Sequence, residues 1–431
     1  MSLLAQEIAE LIRQEGPLSV SRYMALCLGH PRHGYYMKQD PFGADGDFTT
    51  APEISQIFGE LIGLWAANVW QAMGAPASIR LVELGPGRGT LMQDMLRAAR
   101  ALQGFRQALS VHLVEMSPML RERQRQTLAA VGVEPHWHDR IEQALEGPAI
   151  IVANEFLDAL PLDQFVRTPD GWRERLVGLD SEGQLAFGLA AEAPSPLADS
   201  PPRASEGART PPPCGEGQGW GAQSPNAEQQ DEAGPLLQSA LHSVVRPPSP
   251  YPSPRGGREE PGLDLRAPLD SVLEQPAAAS EAVAAVARHV AAEGGAGLFI
   301  DYGPTRSGFG DTLQAMKRHE FVDVLAEPGD ADLTVHVDFA RMAQAGLAAG
   351  AAAHGAVTQR DFLLALGLQQ RFEALSRRAT PAQIETLASG VQRLIETGPT
   401  AMGELFKVMA VADRNLPLLP GFDLHRLPEQ G

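Results

Sequence analysis

The sequence is poor in several features that would mark common protein classes. Its 431 residues include only two cysteines, Cys27 and Cys214, far apart in the chain. They supply neither a disulfide framework nor the closely spaced thiols of a metal cluster. Positive charge is scarce: 35 lysines and arginines face 53 aspartates and glutamates, for a net charge of −18. No basic patch is available to neutralise phosphates, so a nucleic-acid substrate is not expected. An acidic chain suits a basic peptide or protein partner better, although such charge also serves solubility alone. No apolar run approaches the length of a membrane span. The opening residues, Met1-Ser2-Leu3-Leu4-Ala5-Gln6-Glu7, read as an acidic helix. They resemble neither a signal peptide nor an arginine-rich transit peptide, which leads to the expectation of a cytoplasmic, bacterial-type protein. No G-x-S-x-G elbow and no usable Cys–His pair occur, so hydrolase chemistry has no support.

What is present centres on Leu81–Thr90. An apolar run, Ile79-Arg80-Leu81-Val82, leads into Glu83-Leu84-Gly85-Pro86-Gly87-Arg88-Gly89, and a helical pattern follows at Leu91. Strand, glycine turn and helix open many nucleotide-binding α/β sheets. Glycine lets the chain turn tightly and leaves no Cβ between backbone and ligand. The free N–H groups at the helix start then face whatever binds there. A dinucleotide site wants G-x-G-x-x-G; here the third glycine comes one residue early. Acid-x-G-x-G-x-G resembles motif I of class I S-adenosylmethionine (SAM) methyltransferases. Glu83 would then hold the methionine ammonium of SAM, and Gly85, Pro86, Gly87 and Gly89 would cradle that end of the cofactor.

The rest of the chain follows an alternating α/β order. Helices are expected over 3–14, from Ser19 to about Leu28, and over 53–73, the last with Ile57, Leu61, Trp65 and Val69 on a core face. Strands are expected at Ile79–Glu83, Leu109–Glu115, Val133–Trp137, Ala149–Ala153, Gly297–Asp301, about 352–358 and 405–412. The fourth of these is continuously apolar, as a strand buried on both faces should be. The expected fold is therefore α/β: a Rossmann-like class I methyltransferase fold with a seven-stranded, mostly parallel sheet, an N-terminal helical extension and insertions. Four regions are expected: 1–77, a helical subdomain with a loop over the cofactor; 78–192, the first part of the core with a small β-pair at 164–190; 193–267, a Pro/Ser/Gly-rich disordered insert with a short helix near Leu236–Val245; and 268–431, the second part of the core.

Four further sets of residues point to chemistry. Glu115 ends the second strand, where an acid accepts both ribose hydroxyls of a nucleoside, with Met116 beside it. Asp139 follows the third strand, where it could meet the adenine amine or cap the next helix. The fourth strand runs into Asn154-Glu155-Phe156-Leu157-Asp158. Glu155 and Asp158, with Asn154, could clamp a guanidinium and leave one nitrogen free to accept a methyl group. The alternative is that Asp158 caps the next segment while Glu155 faces solvent. His112 and His136 are read as core residues on alternate faces of neighbouring strands.

The segments Gly46–Ser55, Glu83–Gly89, Asn154–Pro161, Ile300–Gly303 and Asp332–Phe339 together resemble the MidA family of SAM-dependent methyltransferases. The resemblance covers nearly the whole chain except about 193–267. It implies that Phe48, Thr49, Thr50 and Glu53 help close the cofactor pocket, and that loops in 301–338 shape a substrate cleft. It implies symmetric dimethylation of an arginine in the 49-kDa (NuoD-like) subunit of respiratory complex I. Methyl transfer from SAM is an in-line displacement that needs no metal, and the sequence leaves the oligomeric state, monomer or homodimer, open. An NAD-dependent oxidoreductase, a non-catalytic assembly factor and a methyltransferase of small molecules remain as alternatives.

Overall fold

The computed structural model describes residues 2–38, 50–191 and 267–422. The expected insert and its short helix fall outside these residues, as do Phe48 and Thr49.

The centre is a seven-stranded sheet. Its strands are β1 (Ile79–Leu84), β2 (Leu109–Val114), β3 (His136–His138), β4 (Ala149–Asn154), β5 (Gly295–Tyr302), β6 (Ala352–Thr358) and β7 (Phe406–Ala412). They lie in the order β6-β7-β5-β4-β1-β2-β3. Strands β1 to β5 pair in parallel, and β7 runs antiparallel to both β5 and β6. The strand order reverses between β1 and β4. That switch point opens a crevice at the carboxyl ends of the strands, the place where ligands bind in open α/β sheets.

Both faces of the sheet are covered, which is why β4 and β5 are buried along their whole length. Along β5, Leu298, Ile300 and Tyr302 pack into one hydrophobic cluster, and Phe299 packs into the other. The first cluster includes helix Gln56–Ala72, whose Ile57, Leu61, Trp65 and Val69 are fully or almost fully buried, as their spacing predicts. It packs tightly on helix Thr90–Ala99: a Cβ added at Gly63 would lie 2.6 Å from the carbonyl oxygen of Met95. The second cluster includes the alanine-rich helix Ala277–Glu293 and helix Phe339–Ala348.

The N-terminal helices Leu3–Glu15 and Val20–Gly29 are capped by Ser2 and Ser19, whose side chains accept from Ala5 N and Arg22 N. Their apolar faces form a third cluster with Ala315, Leu333 and Val335. This places the start of the chain over the crevice. The expected β-pair is part of a larger, five-stranded sheet. Gly171–Leu179 pairs with Leu185–Leu189 across the Asp180–Gly183 turn, and also with Asp163–Thr168 and the short Leu18–Ser19 strand.

Two local expectations change. The third strand is shorter and begins at His136, not Val133. His112 and His136 share a face, because parallel pairing sets them directly opposite each other with ring centroids 4.9 Å apart. His112 is buried, but His136 is exposed.

Candidate active site

The glycine turn leaves β1 at the switch point. Gly85, Gly87 and Gly89 take φ values of 63, 51 and 81°, a region that favours glycine. Gly89 is the N-cap of helix Thr90–Ala99, so its first amides open towards the crevice. The turn has no spare room at Gly85: a Cβ there would lie 2.9 Å from the Phe156 ring.

Two adjoining spaces meet at this turn, and Gly85 and Gly87 line both. The smaller is bordered by Thr50, Pro52, Glu53, Glu83 and Asn154. Glu53 accepts a 2.6 Å hydrogen bond from the Thr90 hydroxyl, which ties the N-terminal segment to the helix behind the turn. Glu83 is only 3% exposed, and its Oε2 has no hydrogen-bond partner among the described residues. Burial pushes its carboxyl well above the usual range, with a backbone bond from Met92 opposing. A buried, unsatisfied carboxylate is costly unless a cation meets it. The Oδ1 of Asn154 is likewise unpartnered among the described residues.

The larger space is a cavity of about 360 Å³, lined by Glu115, Met116, Asp139, Tyr36 and Phe156. That volume suits a nucleoside-sized ligand. Glu115 lies just beyond β2. Its Oε1 accepts from Ser117 N at 2.7 Å, and its Oε2 accepts from Gln124 Nε2 at 3.2 Å. Met116 is 60% exposed at the rim. Asp139 does not cap the following helix, whose N-cap is Arg140. Its carboxylate instead pairs with Arg121 at 2.6 Å while lining the cavity.

Beyond β4 the chain turns sharply, with Glu155 at φ 51°, a strained value for a side chain. Glu155 Oε1 accepts from Ala51 N at 3.2 Å and Asn154 Nδ2 at 3.0 Å. Its carboxyl is raised by burial, and by the Asp158 charge, to about 8. Asp158 is 6% exposed, and its Oδ1 has no partner among the described residues. Burial raises it to about 6, with the Tyr302 hydroxyl opposing. Glu155 and Asp158 thus lie just past β4, near enough for the Asp158 charge to act on Glu155, though neither lines the two spaces at the glycine turn.

Sequence reasoning missed what holds them. Asp301, 1% exposed, accepts from Leu157 N at 3.0 Å, Asp158 N at 3.2 Å and Tyr302 N at 2.9 Å. Its Ile300-Asp301-Tyr302-Gly303 motif was a signal, but the partner turn lies far away in sequence. Tyr36 was missed too. It lines the cavity, and its hydroxyl donates to both oxygens of Asp332 at 3.0 and 3.1 Å.

The strand order, the glycine turn at the switch point and the unsatisfied buried acid beside it define a class I SAM-dependent methyltransferase. Comparison with known proteins agrees. Residues 61–357 match the profile of a family described as S-adenosyl-L-methionine-dependent methyltransferases, and the chain belongs to that family. It is 34% identical to the mitochondrial protein arginine methyltransferase NDUFAF7 of Danio rerio, over 95% of this chain and 86% of the relative. The human protein of that name is 32% identical over 93% of this chain and 81% of its own. A crystal structure from Burkholderia thailandensis, bound to S-adenosyl-homocysteine, superposes with a TM-score of 0.71 at 27% identity, covering 97% of this chain and 94% of that one. The expected fold, family and SAM dependence are met. The cytoplasmic expectation is overturned, because these curated relatives are named as mitochondrial proteins.

Proposed function

We propose that the protein is a protein-arginine N-methyltransferase whose acceptor guanidinium is held by Glu155 and Asp158. The observation that carries this reading is the acid pair at the end of β4, Glu155 partly buried and Asp158 buried with one oxygen left unsatisfied. A planar cation with several N–H donors is the group that such a pair binds best. The names of the relatives support it.

The cofactor residues fit SAM. Glu83 would meet its ammonium, Gly85, Pro86, Gly87 and Gly89 its methionine part, and Glu115 its ribose. Met116 and Asp139 would flank the adenine, while Thr50 and Glu53 close the methionine end; Thr49 lies outside the described residues. When bound, SAM supplies an electrophilic methyl group on its sulfonium. The chain must do the rest. Glu155 and Asp158 accept N–H bonds from two guanidinium nitrogens and draw positive charge towards themselves. The third nitrogen keeps its lone pair for attack, and Asn154 holds Glu155 in place. The arriving cation favours the ionised form of both acids, against the effect of burial. On methylation the attacking nitrogen sheds a proton, which one carboxylate of the pair takes and passes to solvent as S-adenosyl-homocysteine leaves. Most of the rate then comes from alignment in a space closed to water.

The resemblance to MidA proteins suggests one acceptor: an arginine of the 49-kDa subunit of respiratory complex I, symmetrically dimethylated. The test is to incubate the protein with labelled SAM and that subunit, and to map the label by mass spectrometry. Label on arginine that is lost when that arginine becomes lysine supports the reading; label elsewhere, or none, defeats it. Asp158→Asn should leave S-adenosyl-homocysteine affinity unchanged and slow transfer about a hundredfold or more.

A further inference from the structure

Gln124 is fully buried, although its helix, Pro118–Ala129, is mostly polar and carries only two other buried residues, Leu120 and Leu128. A buried amide is costly unless its polar atoms are bonded. Here they are. Oε1 accepts from Trp137 Nε1 at 2.8 Å. Nε2 donates to the Gly87 carbonyl at 2.8 Å and to Glu115 Oε2 at 3.2 Å. The chemistry fixes which way the amide faces. An indole N–H can only donate, whereas a backbone carbonyl can only accept. The NH2 group must therefore point at the turn and the acid.

We propose that Gln124 is a positioning residue for cofactor binding, which locks the Glu115 carboxylate in the orientation that accepts ribose hydroxyls. The terminal torsion of a glutamate is broad and settles only where its oxygens are held. Ser117 N–H holds one Glu115 oxygen and Gln124 holds the other. Glu115 lines the cavity, and each of its oxygens keeps acceptor capacity beyond these bonds. The same amide grips Gly87, so one side chain also sets the spacing between the ribose end and the glycine turn. Trp137, on β3, keeps the amide from flipping. The proposal rests on the reading of Glu115 as the ribose acceptor.

The test measures binding of S-adenosyl-homocysteine and of its 2′-deoxyribose analogue by calorimetry. The proteins are wild type, Gln124→Met and Gln124→Glu, each checked for intact folding by circular dichroism. Wild type should prefer the ribose form by about tenfold or more, as for a hydrogen bond to a charged group. Both variants should compress that preference to within about threefold. Gln124→Glu keeps the shape and still accepts from Trp137, but even protonated it has one O–H where the amide has two N–H groups, so it cannot hold Gly87 and Glu115 together, and it decides the matter if Gln124→Met fails to fold. A purely structural role would weaken both ligands equally and leave the preference intact; that result overturns the proposal. A wild type blind to the 2′-hydroxyl overturns the reading of Glu115 and the proposal with it.

Discussion

Replacing Glu155 by glutamine should stabilise the ligand-free protein at alkaline pH while abolishing its activity. Glu155 has its carboxyl raised from the ordinary value of 4.5 to about 8. The folded state therefore holds a proton that the unfolded chain has already lost between those two values. Stability falls as pH rises through that window, because the native state binds more protons. A rise of three to four units corresponds to roughly 5 kcal/mol as an upper bound. Glu155 is only partly buried, so solvent screening cuts this to about 2 kcal/mol. Glutamine keeps the shape and still accepts from Ala51 N and Asn154 Nδ2, but it never ionises. Wild type and variant should match near pH 5 and separate with rising pH, to about 2 kcal/mol by pH 9. In a protein of this size that is a few degrees of melting temperature. Asp158, raised to about 6, titrates in both proteins, so its contribution cancels in the difference between them. Thermal unfolding across pH 5–9 provides the measurement. Parallel curves for the two proteins would refute the reasoning, since they would show that Glu155 ionises in the fold as easily as in the open chain.

Gly85→Ala places a Cβ 2.9 Å from the Phe156 ring at a φ of 63°, and should weaken S-adenosyl-homocysteine binding at least tenfold by calorimetry; unchanged affinity would remove the turn from the cofactor site. Asp301→Ala leaves three buried N–H groups without their acceptor, so the unfolding free energy should drop by about 3 kcal/mol or more, and arginine transfer should slow more than cofactor affinity falls. If Glu83 meets the cofactor ammonium, its raised carboxyl must lose a proton on binding. Observed S-adenosyl-homocysteine affinity should then rise with pH below the Glu83 value, and the binding heat should depend on the ionisation enthalpy of the buffer; heats identical in phosphate and Tris would contradict this.

The sheet was legible because its strands carry local signals. Ala149-Ile150-Ile151-Val152-Ala153 could only be a strand buried on two faces, and the acid-led glycine turn could only follow a strand. Most strands announce themselves within a few residues, and the α/β alternation implies parallel pairing, but the strand order comes only from the assembled sheet. The second sheet was less legible for the opposite reason. Its Leu18–Ser19 edge is two residues long and gains its partner at Leu176 and Val177, far along the chain. No periodicity can appear in two residues. The shared face of His112 and His136 depends on a register that only the assembled strands define.

The site divides along the same line. The residues proposed to touch ligands sit at strand ends, where the fold class itself marks them: Glu83, Glu115, Asn154 and Glu155. Residues that hold those groups in place carry no mark of that role in the sequence, even where, as at Asp301, a motif singles them out. Gln124 occupies a helix whose neighbours are Arg121, Glu122, Arg123 and Arg125, and it reads as one more solvent-facing residue. It is buried because Trp137, Gly87 and Glu115 close around it, and each comes from a different segment. Asp301 reads as a strand-end acid like Glu115, yet its oxygens are consumed by three amides and it presents none of the spare acceptor capacity of Asp158. The two acids differ in satisfaction, not in type. An acid whose lone pairs are filled by the backbone shapes a turn; one left unfilled in a buried place destabilises the fold until a cation arrives. Asp301 fixes the turn, and Asp158, mounted on it, keeps the spare acceptor that the proposed guanidinium would use.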